Sequence, residues 1–219
     1  MTYEQLKSQL ENFGQDSKRC FTTCSFQTHS LPLLHMVTRI DPSIPVVFIN
    51  TGYHFPDTLA FRDQIVEAFG IRNLIELESI TPKSMQMDGF GKLLYTSDAD
   101  HCCYLNKTQP LNEYMRSYDV WINGVRADQS SIRANMKEVQ AAPHDVVRLH
   151  PLLSWSEREV YAYIREFDLP RHPLDEKGYL SIGCEPCTRK IDPEMSERES
   201  RWYGMNKVEC GLHTELIDK

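Results

Sequence analysis

The chain has 219 residues, a formal net charge of −7 at pH 7 and a pI near 5.6, with 41% hydrophobic and 25% charged residues. This is globular composition, long enough to bury a sizeable core, and it argues against disorder, collagen-like repeats and coiled coils. The acidic balance weighs against a nucleic-acid partner, because neutralising phosphates needs a basic surface. No apolar run approaches the roughly 18–20 residues of a membrane-spanning helix. Met1 to Leu6 lack the basic flank and apolar core of a secretory signal. The expectation is a cytoplasmic protein with no membrane and no nucleic-acid partner. Its seven cysteines are then ligands, nucleophiles or core residues rather than structural disulfides.

Tyr3, Leu6, Leu10 and Phe13 recur at helical spacing, and Gly14 closes the run. Cys20 to Ser25 is β-prone. Leu31 to Ile40 reads as a buried helix with Pro32 in its first turn. Val46 to Ile49 is a short apolar run between Pro45 and Asn50-Thr51-Gly52, the pattern of a strand buried on both faces of a parallel sheet. An amphipathic helix follows from Pro56 to Phe69, closed by Gly70. Asn73 to Glu78 predicts a strand and Asn106 to Met115 a helix. Asp119 to Asn123 and Asp145 to Leu149 predict two more strands. Ser156-Glu157-Arg158-Glu159 is a capping box opening a helix that runs to about Phe167.

This alternation over residues 1–167 predicts an α/β fold built on a doubly wound, mainly parallel sheet. Ligands of such sheets sit beyond the carboxyl ends of the strands. Two strand exits stand out, Ser25 to Ser30 and Asn50-Thr51-Gly52. Residues 168–219 carry prolines, glycines, dense charge and three cysteines. They read as an irregular C-terminal segment of the same structural unit, folded over the sheet edge.

Cys102 and Cys103 are adjacent, and Cys184-Glu185-Pro186-Cys187 is a C-x-x-C. Two such pairs can build one four-thiolate site, for zinc or for an iron–sulfur cluster. Neighbouring side chains diverge in extended backbone, which suits the separated corners of a cluster better than a zinc knuckle. A redox disulfide or inert thiols are the competing readings. Cys210 stands apart in Lys207-Val208-Glu209-Cys210-Gly211-Leu212-His213, where Lys207 and His213 favour the thiolate, the nucleophilic form. Gly211 beside it allows close approach of a substrate. An inert tail cysteine is the alternative. Cys20 and Cys24 flank a buried strand and read as core residues.

Ser25, Gln27, Thr28 and Ser30 put hydroxyl, amide and backbone donors at a strand-to-helix turn, where a helix N-terminus favours phosphate or sulfate. On local sequence alone, a capped polar turn explains them as well. Gly124 to Ser130 forms another polar loop after a strand. Arg198 and Arg201 lie one helical turn apart and can face the same anion, although a solvated charged face accounts for them equally. Lys107, four residues after Cys103, is placed to touch a cluster or an anion.

Together these residues resemble the adenylylsulfate / phosphoadenylylsulfate reductase family of assimilatory sulfate reduction. The resemblance rests on Ser25-Phe26-Gln27 with Leu31 to His35, on Asn50-Thr51-Gly52, and on Cys102-Cys103 followed by Lys107 and Pro110-Leu111. It continues through Arg126 with Asp128-Gln129-Ser130, Ser181 to Arg189, Glu197-Arg198 with Arg201-Trp202, and Glu209 to His213. It implies an adenine-nucleotide-binding α/β fold and a 4Fe-4S cluster on Cys102, Cys103, Cys184 and Cys187, with an electrostatic and structural role. It also implies that Cys210 attacks the sulfate sulfur of adenylylsulfate, expels AMP and becomes an S-sulfocysteine. Thioredoxin or a glutaredoxin-like dithiol would then release sulfite.

By the same resemblance the nucleotide is bound by Ser25, Gln27, Thr51, Gly52, Lys107, Arg126, Arg198, Arg201 and His213. Phosphoadenylylsulfate, alone or as well, is the alternative substrate. A non-catalytic iron–sulfur or zinc protein that binds a nucleotide is the alternative class. An ATP-pyrophosphatase-type ligase would share the fold, but its Ser-Gly-Gly-x-Asp-Ser loop is missing from Ser25 to Ser30. The chain carries Asn50 where many members have Asp, Ala127 where many have a second arginine, and Asn106 where many have a basic residue. The sequence leaves the oligomeric state open, homo-oligomer included.

Overall fold

Thr2 opens the first helix with a reciprocal capping box: its hydroxyl accepts the Gln5 N–H, and Gln5 Oε1 accepts the Thr2 N–H. That helix, α1 (Tyr3–Gln15), buries Leu6 and Leu10. The computed structural model describes all residues except 193, 195, 196, 206, 208 and 214–219, and describes Glu197, Arg198 and His213 by backbone only. After α1 come β1 (Cys20–Thr23), α2 (Leu31–Ile40), β2 (Val46–Ile49), α3 (Pro56–Ala68) and β3 (Leu74–Leu77). Then follow α4 (Leu94–Ser97), α5 (Ala99–Cys103), a π-helical turn over Tyr104–Thr108, and α6 (Gln109–Met115). β4 (Val120–Ile122), α7 (Ser131–Ala134), β5 (Val139–Ala141), β6 (Val147–Leu149) and α8 (Glu157–Glu166) complete the α/β part.

The six strands form one sheet in the order β3-β2-β1-β4-β6-β5. Every neighbouring pair is parallel except β5 with β6. The expected mainly parallel α/β fold is therefore present. β2 is apolar on both sides because both faces of the sheet are covered. Phe26, Leu34, Phe48, Phe61, Ile65 and Val160 fill the face under α1, α2, α3 and α8. Phe21, Trp121, Leu111 and Met115 fill the other, under α6. β5 escaped the sequence reading. It is three residues long, lies at the sheet edge, and leaves Val139 51% exposed, so it carries no apolar pattern.

From β1 the chain moves outward through β2 and β3 on one side. Later it returns to lay β4 and β6 on the other, so the topological switch falls between β1 and β4. The C-terminal segment does not run along a sheet edge; it crosses the carboxyl ends of the strands. The Ile182 N–H donates to Gln27 Oε1 (3.2 Å) and the Glu185 N–H to the Tyr53 carbonyl (2.7 Å). His172 is fully buried: its Nδ1 accepts the Leu174 N–H, which leaves the proton on Nε2 for Thr58 Oγ1. No helix among the described residues is long and apolar enough to cross a membrane.

Candidate active site

The strand exits shape a cavity of about 210 Å³ at the switch point. Thr23 and Cys24 from β1, Phe48 and Ile49 from β2, and Asn123 and Gly124 after β4 form its floor. Ile182, Cys184, Arg201 and Cys210 roof it over. The turn between β1 and α2 enters through Ser25 and Gln27. Its intervening Phe26 holds a left-handed backbone (φ 53°) so that the ring drops into the core against Phe48. Such a conformation is strained for a bulky residue and persists where packing over-determines it.

Lys107 lies on the π-helical turn that follows Cys103. Such turns redirect side chains out of the regular helical spiral, and this one brings the ammonium into the cavity. Burial alone would lower its pKa, but the sulfurs of Cys184, Cys210 and Cys103 outweigh that, and the ammonium is held charged. The converse holds for Cys210. Burial pushes its thiol up, while Lys107, the Leu212 N–H and Arg133 pull it down, with a net shift below the ordinary thiol value. This cysteine therefore favours the thiolate. Cys20 and Cys24 behave oppositely: burial raises both to about 11, as befits packing residues.

Contacts from three directions fasten the segment bearing Cys210. Arg133 forks onto Glu209 (Nε–Oε2 3.0 Å, Nη2–Oε1 2.9 Å), and Ser130 Oγ donates to Glu209 Oε2 (2.8 Å). Glu209 Oε1 also accepts the Cys210 N–H (2.8 Å). Lys207 pairs with Asp100 on α5. Arg148, stacked on Trp121, donates to the Leu212 carbonyl (3.0 Å). Sequence reading gave none of Arg133, Arg148 or Asp100 a role, because each reads locally as an ordinary surface charge.

The thiols of Cys102, Cys103, Cys184 and Cys187 are all free and buried. They line one small recess beside the cavity together with Tyr53, Tyr95 and Pro186. Burial lifts the Cys102 thiol to about 12, with repulsion from Cys103, Cys184 and Cys187 adding to it. Four sulfurs that destabilise one another's charge are the donor set of a soft cationic centre. Among the described residues no three His, Cys, Asp or Glu side chains close on a single-ion position. Four free thiols lining one recess fit the donor set of an iron–sulfur cluster, which is held by four cysteine thiolates. Asn106 supports the recess: its Nδ2 donates to the Cys102 carbonyl (2.9 Å) and approaches Cys102 Sγ at 3.6 Å, while a reciprocal amide pair ties it to Gln86.

Of the nucleotide contacts expected from sequence, Ser25, Gln27, Lys107 and Arg201 share the cavity with Cys210. Arg201 donates to the Ile182 carbonyl (3.2 Å) and lies so close to Gly183 that a Cβ there would run into its guanidinium. Thr51 instead lines the thiol recess, with Oγ1 3.3 Å from Cys184 Sγ. Gly52 sits outside the cavity with φ 64° under the Lys83 ammonium. Arg126 is 2% exposed and forks onto Asp128 (2.9 and 3.2 Å), away from the cavity wall. The side chains of Arg198 and His213 lie outside the described residues.

A doubly wound sheet with a polar cavity at its switch point, roofed by a cysteine-bearing segment, defines an α/β protein whose site lies beyond the carboxyl ends of a mainly parallel sheet. The family model for the phosphoadenosine phosphosulfate reductase domain matches residues 19–190, and the chain belongs to that family. An adenosine 5′-phosphosulfate reductase from a Chelativorans species is 39% identical over 204 residues, 92% of this chain and 82% of the relative. A phosphoadenosine 5′-phosphosulfate reductase from Gloeobacter violaceus is 35% identical, spanning 97% of this chain and 93% of the relative. Among solved structures, the phosphoadenylyl-sulfate reductase of Candida auris shares the fold with TM-score 0.63 at 23% identity, covering 76% of this chain and 81% of that one. The FMN adenylyltransferase of Candida glabrata does so with TM-score 0.62 at 15% identity, covering 97% and 75%.

Proposed function

We propose that the protein reduces adenylylsulfate to sulfite and AMP, with Cys210 as nucleophile and thioredoxin or a glutaredoxin-like dithiol as reductant. The observation that carries this reading is the shared cavity of a lowered-pKa thiol and a buried ammonium, Cys210 and Lys107, at the switch point of a nucleotide-type sheet. The Cys210 thiolate attacks the sulfate sulfur, an S–S bond forms, and the S–O bond to the phosphate breaks. AMP leaves with the electron pair of that bond. Both reactants are anionic, so fixed positive charge must be in place before attack; Lys107 and Arg201, both lining the cavity, provide it. The Glu209–Arg133 pair orients the backbone that carries the sulfur. The dithiol then cleaves the S-sulfocysteine: it is oxidised to a disulfide, the sulfur passes to sulfite, and the Cys210 thiol is restored.

Cys102, Cys103, Cys184 and Cys187 would hold a 4Fe-4S cluster, which, when bound, supplies a rigid cross-link and a local field beside Lys107. The test is mass spectrometry of the Cys210 peptide after mixing the enzyme with adenylylsulfate, reductant withheld. An added SO₃ group, lost in Cys210→Ser with AMP binding kept, is the expected result; an unmodified peptide overturns the reading. Similarity to the Gloeobacter relative favours phosphoadenylylsulfate as second reading. Sulfite formed from that nucleotide alone would establish it.

A further inference from the structure

Asn123 follows β4 at the switch point and is 3% exposed, yet neither its Nδ2 nor its Oδ1 has a hydrogen-bond partner. Its own N–H is satisfied by the Leu149 carbonyl (3.0 Å), so the shortfall belongs to the side chain. Buried amides are nearly always paired in native proteins, and leaving both ends unpaired is costly. The carboxamide lines the cavity that holds Cys210 and Lys107. Nearby polar groups are already engaged: Thr23 Oγ1 accepts the Trp121 indole N–H (2.9 Å), and Arg133 is committed to Glu209.

The free donor and acceptor together select the ligand group. A phosphosulfate offers only acceptor oxygens, so it would satisfy Nδ2 and strand Oδ1. A vicinal diol offers both, and so does the amino and ring-nitrogen edge of adenine, so the position of Asn123 decides between them. Asn123 lies two residues beyond Trp121 along a continuing ladder, and therefore on the same sheet face. That face carries Leu212 and the Cys210 segment. The part of a nucleotide nearest the reacting end, after its phosphate, is the ribose.

We propose that Asn123 binds the ribose hydroxyls of the nucleotide. This rests on the reading of the cavity as a sulfonucleotide site. Nδ2 donates to one hydroxyl and Oδ1 accepts from the other. A 3′-phosphate removes one of the two protons, but the 2′-hydroxyl still gives one to Oδ1 while Nδ2 meets the phosphate, so Asn123 reads the sugar and does not exclude the 3′-phosphorylated form. A site that hydrogen-bonds a substrate hydroxyl rejects analogues that cannot reciprocate.

The experiment is calorimetric binding of AMP, 2′-deoxy-AMP, 3′-deoxy-AMP and inosine 5′-monophosphate to the purified full chain, to Asn123→Ala and to Asn123→Ser. In the unaltered protein, loss of a ribose hydroxyl should weaken AMP about 10- to 100-fold. In Asn123→Ala that penalty should disappear; should this variant not fold, Asn123→Ser takes its place and should lose most of it. Equal hydroxyl penalties in variant and parent overturn the proposal. So does a penalty that couples Asn123 to inosine, which would put the amide on the base. Failure of AMP to bind the unaltered protein overturns both this proposal and the sulfonucleotide reading, whereas binding without coupling removes only this one.

Discussion

Asn50 carries an amide where the resemblance leads one to expect a carboxylate, and its neighbours account for the amide. Its Nδ2 donates to Glu76 (3.0 Å) and to Glu78 (2.8 Å), while its Oδ1 accepts the Gly52 N–H (2.9 Å). A carboxylate there would face two others. Asn50→Asp should destabilise the fold by about 1–2 kcal/mol near neutral pH, with the deficit shrinking as pH falls and the site takes up a proton; urea melts at two pH values check it. Asn106 answers a similar question. It is buried in an amide pair with Gln86, so a basic residue there would need a different recess. Lys107 governs the nucleophile. In Lys107→Met the pH midpoint for alkylation of Cys210, followed on its peptide, should move upward because burial is then opposed only by the Leu212 N–H and Arg133. An unmoved midpoint would mean that other charges set this thiol.

Among the elements, those with apolar periodicity stand close to where the spacing puts them: α2 spans Leu31–Ile40 and β2 spans Val46–Ile49 as expected. The expected helix from Asn106 to Met115 instead begins as a π-helical turn before α6, a distinction that hydrophobic spacing does not encode. Among its described residues the segment that roofs the cavity has only short 3₁₀ turns, and side-chain pairs hold it. The Arg133–Glu209 pair is the most enclosed of these, with side chains 9% and 1% exposed. Breaking a buried pair by removing one partner typically costs about 3–5 kcal/mol. Glu209→Ala should therefore loosen this segment: trypsin should cut near Lys207 faster, with the melting of the sheet little changed. Equal cleavage rates would show that the other fastenings suffice.

At the scale of the whole molecule, three buried histidines tie loops to the sheet in their neutral form. Burial lowers His54, His150 and His172 to about 4 from an ordinary value of 6.5. The unfolded chain binds the protons first, so the stability these groups carry is complete above pH 6.5 and drains away as pH falls toward 4. Each contributes a slope of up to about 1.4 kcal/mol per pH unit in that window. Asp175, raised by burial, works in the opposite sense and offsets only part of it. Denaturation midpoints measured from pH 7 to pH 4.5 should fall steeply, and His172→Gln should flatten the slope. A flat profile in the unaltered protein would show that these rings take up protons without loss of structure.

The residues alone determined the α/β class, the order of the long elements, the cysteine groups and the family, because periodicity, turn chemistry and motif spacing are local properties of the chain. Local signals could not say that Cys102-Cys103 and Cys184-Cys187 would line one recess, or that Cys210 would sit beside Lys107 with its pKa pulled down. Nor could they show that Thr51, Gly52 and Arg126 would stand outside the cavity while Asn123 stood in it with both amide atoms free. Those outcomes depend on which strands pair and where the C-terminal segment crosses them. Burial and charge–charge distance are set between residues far apart in the chain, so only the folded arrangement decides them.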